Sequence, residues 1–125
     1  MNKGSIPIIY VAGPYRAATQ ECVEMNIASA YKVGTEVIKR GYGVVIPHSN
    51  TGRMERILSD VPDEFWLAMT LELMRRCDAV VLCPGWTRST GTLGEINEAR
   101  RIGLPVYEDV DDLPEIDAFA ERIAA

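Results

Sequence analysis

The 125-residue sequence has only three cysteines and one histidine. Cys22, Cys77 and Cys83 form no CxxC pair and have irregular spacing. A disulfide framework and a structural zinc site are therefore both disfavoured, and the expectation is free buried thiols in a reducing compartment. Positive charge is also scarce: 13 Lys and Arg stand against 18 Asp and Glu, for a net charge of −5. Such a chain has no broad electrostatic reason to hold duplex nucleic acid, although a few local donors can still bind a small anion. Long apolar runs are missing too. The run Ile6 to Ala12 is interrupted by Pro7 and Tyr10 and stopped by Gly13-Pro14, too short and broken for a signal peptide or a membrane span. The expected location is the cytoplasm. GxxxxGK[ST], GxGxxG, GxSxG and HExxH are all absent, which leaves P-loop phosphoryl transfer, a dinucleotide site and a serine hydrolase elbow without support.

What is present is an ordinary globular mixture, 47% hydrophobic and 25% charged, of a length that suits one domain over residues 1–125. Residues 6–12 read as a buried strand. From about Glu21 to Arg40, Val23, Ile27, Ala30, Gly34 and Val37 recur at helical spacing, and Gly41 closes the helix. Val44–Ile46 reads as a second strand, 48–61 as a long loop and Pro62–Arg76 as a helix. Asp78–Cys83 is a third strand, followed by a polar loop over 86–91. Leu93, Ile96 and Ala99 mark a helix ended by Gly103, then Leu104–Tyr107 reads as a strand and Asp112–Ala124 as a helix. Strands alternating with helices predict a single-domain, doubly wound open parallel sheet, Rossmann-like or flavodoxin-like. It has four to five strands and helices on both faces.

Such sheets bind ligands beyond the carboxyl ends of their strands. The unusual residues fall there: Gly13, Pro14, Tyr15 and Arg16 after the first strand, His48 after the second, and Trp86, Ser89 and Gly91 after the third. Each has a plain structural reading beside a functional one. Thr92-x-x-Glu95 is a capping box, or Glu95 is a carboxylate ionised in the first helical turn and able to attack an anomeric carbon. Arg16 is a solvated arginine or a fork for phosphate. Tyr15 and Trp86 close a core edge or wall a base or sugar. His48 is a hydrogen-bonded loop residue or a base. Asp78 reads as a turn or cap residue, and Phe65, Trp66, Met69 and Leu73 as a core stripe.

The segments Ile9–Arg16, Cys77–Leu82, Ser89–Glu95 and Ala99–Val106 together resemble the nucleoside 2-deoxyribosyltransferase superfamily. The loop Pro84-Gly85-Trp86-x-x-Ser89-x-Gly91 is most similar to its small bacterial and phage branch (the domain of unknown function 4406 group). The 2′-deoxynucleoside 5′-phosphate N-hydrolases are related members. The likeness spans residues 6–107. It implies a doubly wound parallel sheet that cleaves an N-glycosidic bond, with Glu95 as nucleophile and Ser89 against a 5′-phosphate. The strand-1 loop, Gly13 to Arg16, would lie against the nucleotide. Neither cofactor nor metal is implied; the partners would be a nucleoside or nucleoside 5′-monophosphate and further copies of the chain, as a homodimer or larger homo-oligomer. Thr70 stands where many members carry an aspartate, so the alternative is a non-catalytic module that binds or senses a nucleotide in the same crevice.

Overall fold

The computed structural model describes residues 5–50 and 54–124. The order is β1 (Ile8–Ala12), α1 (Gln20–Lys39), β2 (Gly43–Val45), α2 (Pro47–Asn50), α3 (Met54–Ile57), α4 (Asp63–Arg75), β3 (Ala79–Leu82), α5 (Thr90–Arg101), β4 (Val106–Tyr107) and α6 (Ile116–Ala124). Single 3₁₀ turns cover Trp86–Arg88 and Val110–Asp112. The four strands run β2-β1-β3-β4 and every pairing is parallel. The expected open parallel α/β sheet is therefore present, with four strands.

Alternation along the strands builds two cores, because successive side chains leave a strand on opposite faces. Ile9, Val11, Ala79 and Val81 pack with Ala30, Val33 and Val37 of α1 and Phe119 of α6. Tyr10, Ala12, Val80 and Leu82 pack with Met74 of α4 and with Ile96 and Ala99 of α5. A sheet covered on both faces needs near-continuous apolar strands, which is why β1 and β3 show no polar alternation. Tyr42 meets Phe119 edge to face at 5.4 Å, a geometry that adds about 0.5–1.5 kcal/mol beyond burial. Gly41 and Gly103 end α1 and α5 with φ of 92° and 77°, a region that costs glycine nothing. At the far end of the sheet Asp78 accepts from the Ile8 N–H at 2.7 Å, the capping role its position suggests.

Several expectations need correction. Residues 48–61 are no simple loop, since α2 and α3 lie there. The last helix starts at Ile116 rather than Asp112, because Pro114 disfavours the α region for the residue before it and Leu113 is extended at φ −61° and ψ 130°. Cys77 and Cys83 are buried free thiols, but Cys22 is exposed. The apolar stripe of α4 is rotated: Trp66 and Met74 are buried, whereas Phe65 is 54% exposed. Among the described residues no helix is long and apolar enough to cross a membrane.

Candidate functional site

The sheet's strand order reverses beside β1, whose neighbours β2 and β3 follow it in sequence on opposite sides. A crevice opens at the carboxyl ends of strands at such a point. Here it is a cavity of about 430 Å³ bounded by the β1 loop, α2, α3, α4 and the start of α5. Gly13, Pro14, Tyr15, Arg16, His48, Ser89, Gly91 and Glu95 all line it.

Glu95 is the central group. The N-cap of α5 is Ser89, whose hydroxyl accepts from the Thr92 N–H at 3.2 Å and from the Thr92 hydroxyl at 2.8 Å. The capping box expected of Thr92 and Glu95 is thus not formed, and Glu95 sits in the second turn with its carboxyl free of capping. Its oxygen accepts instead from the Tyr10 hydroxyl. Burial pushes the Glu95 carboxyl up to about 7, and the Tyr10 hydrogen bond holds it back from rising further. The expectation of a fully ionised carboxylate therefore fails. Desolvation outweighs the helix dipole, whose effect fades after the first turn. Tyr10 is itself fully buried, and burial, with the Glu95 charge behind it, drives its phenol far above the usual range. It stays a neutral donor.

The β1 loop is pinned from below. His48 Nε2 lies 3.1 Å from the Gly13 carbonyl and 2.9 Å from the Pro14 carbonyl. Both partners only accept, so Nε2 carries the proton and donates. Nδ1 is then a bare, buried acceptor with no partner among the described residues. Burial lowers the His48 pKa, so the ring is neutral and acts as an anchor. Tyr15 meets the same ring edge to face at 5.7 Å. Gly13 has a packing reason for being glycine: a Cβ there would stand 2.4 Å from the Cys83 Cβ.

Arg16 is not a free fork. Its guanidinium is held by Glu55 at 3.0 Å and Asp63 at 3.1 Å. Glu55 also faces the Tyr15 hydroxyl and, after burial, is the main reason that phenol's pKa is raised. On the opposite side Arg88 lines the cavity beside Ser89, Thr90 and Gly91. A Cβ on Gly91 would meet nothing within 4 Å, so the backbone at the α5 N-terminus is open to a ligand. There, unpaired N–H groups and the helix dipole favour an anion.

Trp86 does not reach the cavity. It follows Gly85, at φ 85°, in a short 3₁₀ turn, and packs on the core beneath α5. Trp66 supplies the aromatic wall instead, with Leu67 and Thr70 from the same helix. The Thr70 hydroxyl donates to the Leu67 carbonyl at 3.0 Å. Tyr10, Glu55 and Trp66 were thus absent from the sequence-based site. A lone hydroxyl within the apolar Ile8–Ala12 run was a signal for Tyr10, since a buried phenol needs a partner. Trp66 and Thr70 share a face at i, i+4 spacing. Glu55 lies in a weakly patterned stretch and left no signal.

Among the described residues no three His, Cys, Asp or Glu side chains gather as a metal ion would require. What the cavity offers is one tunable carboxyl, aromatic walls, and guanidinium and backbone donors at its rim. No curated protein matches the chain. A family model described as a domain of unknown function, DUF7768, matches residues 7–109. The match takes in all four strands and the whole cavity floor, and the chain belongs to that family.

Proposed function

We propose that the cavity cleaves the N-glycosidic bond of a nucleoside or nucleoside 5′-monophosphate, by hydrolysis or deoxyribosyl transfer, with Glu95 as nucleophile. One observation carries this reading: a half-buried carboxyl whose pKa desolvation pushes up to about 7, held by Tyr10 on the floor of a cavity of about 430 Å³. Perturbed carboxyls in clefts are the groups that do acid, base or nucleophilic work. Ionised Glu95 attacks the anomeric carbon through an oxocarbenium-like transition state. The base leaves with the electron pair of the C–N bond and takes a proton from water at the cavity mouth. Water, or a free acceptor nucleobase, then attacks the same carbon, gives up its proton to the hydroxide left at the cavity mouth, and releases Glu95 as a carboxylate. Trp66 and Tyr15 wall the base and sugar. Ser89, Arg88 and the α5 N-terminus receive the phosphate, a place that Arg16 cannot take while Glu55 and Asp63 hold it. The working form is a cytoplasmic homo-oligomer. No cofactor or metal enters this scheme.

A second reading is a nucleotide-binding or sensing module in the same crevice. Thr70 favours it, because it stands where the resemblance implies an aspartate and its hydroxyl donates to the Leu67 carbonyl. A chromatographic screen of nucleosides and monophosphates separates the two. Free base appearing with wild type and not with Glu95→Gln supports the enzyme; ligand-induced melting shifts without turnover support the sensor.

A further inference from the structure

A base that leaves a sugar as an anion needs a proton, and a positioned acid ordinarily supplies it. Among the described residues lining the cavity, the acidic groups have already placed their protons. The His48 N–H lies on the Gly13 and Pro14 carbonyls at 3.1 and 2.9 Å, and burial lowers the ring's pKa, so it holds no second proton to give. The Tyr10 hydroxyl donates to Glu95. The Tyr15 hydroxyl faces Glu55, and burial and that carboxylate both raise its pKa. Glu55 itself accepts from Arg16 at 3.0 Å. Glu95 exchanges a proton near neutrality. As nucleophile, however, it attacks without its proton and cannot act as the acid in the same step.

The lining at the α3 end suits a positive ring. Trp66 and Tyr15 supply aromatic surface, which attracts cations through the ring quadrupole. Beside them two carboxylates share one guanidinium: Arg16 Nη2 lies 3.0 Å from Glu55 and 3.1 Å from Asp63. One positive charge does not cancel two negative ones. The Glu55 charge acts on the Tyr15 hydroxyl more strongly than either Arg16 or Arg56 does. The Glu55 side chain is only 18% exposed, so salt and water screen it less than a surface carboxylate. Arg88 lies on the other side of the cavity, beside Ser89 and the α5 N-terminus.

We infer that the cavity takes glycosides of a cationic heterocycle, in which the ring bonded to the sugar already carries a positive charge: N-ribosylated pyridiniums or N7-alkylated purine nucleosides. This rests on Glu95 as the nucleophile of the proposed function and narrows its substrate. The step then balances without an acid. The Glu95 carboxylate forms a C–O bond at the anomeric carbon, the C–N bond breaks, and its electron pair returns to the ring and cancels the ring's charge. The base leaves neutral. Water attacks the same carbon, passes its proton to solvent and frees Glu95 as a carboxylate. The positive charge moves from the ring, held by Trp66, Tyr15 and Glu55, to the sugar beside ionised Glu95, so a counter-charge accompanies it throughout.

Guanosine and 7-methylguanosine, as ribosides and 2′-deoxyribosides, test this, because the members of each pair differ by one methyl group and one charge. Nicotinamide riboside adds a pyridinium. Base release by the wild-type chain is followed by chromatography at pH 6.5. A general acid is worth about 10²–10⁴ in rate, so guanosine is expected to trail the cationic members by at least about a hundredfold. In calorimetry, 1-methylnicotinamide is expected to bind about tenfold tighter than neutral nicotinamide. Glu55→Gln is expected to cut that preference several-fold. Guanosine cleaved as fast as 7-methylguanosine overturns the cationic substrate and leaves the glycosidic reading standing. Nicotinamide bound as tightly as 1-methylnicotinamide overturns the cation site. No base released from any member overturns the glycosidic reading and this inference with it.

Discussion

Glu95 and Glu98 lie three residues apart on α5, yet the carboxyl of Glu95 is pushed up to about 7 and that of Glu98 is drawn down to about 2. The backbone is the same; the surroundings differ. Glu95 faces the cavity floor, partly withdrawn from solvent, where its one hydrogen-bond partner is a neutral phenol. Glu98 faces the seam between α4 and α5. There it accepts from Arg101 Nε at 2.7 Å and Nη2 at 2.8 Å, and from Arg75 Nε at 2.7 Å. Charge-assisted bonds from two guanidiniums stabilise the ionised form, whereas desolvation penalises it. One helix thus carries a carboxyl poised for proton exchange near neutrality and another locked as an anion. The locked one ties down the helix that presents the poised one, because Arg75 belongs to α4 and α4 supplies Trp66 and Thr70.

The largest way to break this contrast is through pH. Glu95 binds its proton more tightly folded than unfolded, so the stability it contributes is fully present below about 4.5 and is lost as pH rises through about 7. A displacement from 4.5 to about 7 corresponds to about 3 kcal/mol. Urea midpoints measured from pH 5 to pH 8 are expected to fall in wild type and to stay nearly level in Glu95→Gln. A second test removes the phenol. Tyr10 lowers the Glu95 pKa by hydrogen bonding, so Tyr10→Phe is expected to raise it by about one unit. Carbon-13 titration of the side-chain carboxyl reads that shift directly, and the alkaline displacement of any pH–rate profile follows. Glu98→Gln has the smallest expected effect at neutral pH, a drop of a few degrees in Tm. Its signature is at low pH: Glu98 stabilises above the ordinary carboxylate value and loses that contribution as pH falls toward about 2. The variant is therefore expected to lose the most against wild type at pH 5 and above, and to match it near pH 2.

The fold was legible because its signals are periodic. Apolar runs closed by Gly-Pro or Pro marked the strands, and Gly41 and Gly103 marked the helix ends. Most of the crevice followed, since a parallel sheet gathers the loops after β1, β2 and β3 by topology alone. Side-chain direction was less legible. Trp86 and Trp66 are both aromatic residues close to the crevice, and only the 3₁₀ turn after Gly85 and the rotation of α4 decide which one lines it. The same holds for Glu95. Sequence spacing allowed a capping box with Thr92, but Ser89 reaches the helix start first and leaves Glu95 for Tyr10. Arg16 was read by its own chemistry, and its partners Glu55 and Asp63 come from segments far along the chain.

Cleavage of an N-glycosidic bond by Glu95, as proposed, is read out by chromatographic detection of free base. Wild type and Glu95→Gln would be incubated at pH 8 with a panel of nucleosides and their 5′-monophosphates. Wild type is expected to release base from at least one member, at a rate reduced on the order of a thousandfold or more in the variant. An undiminished rate in Glu95→Gln, or no base released from any member by wild type, would contradict it.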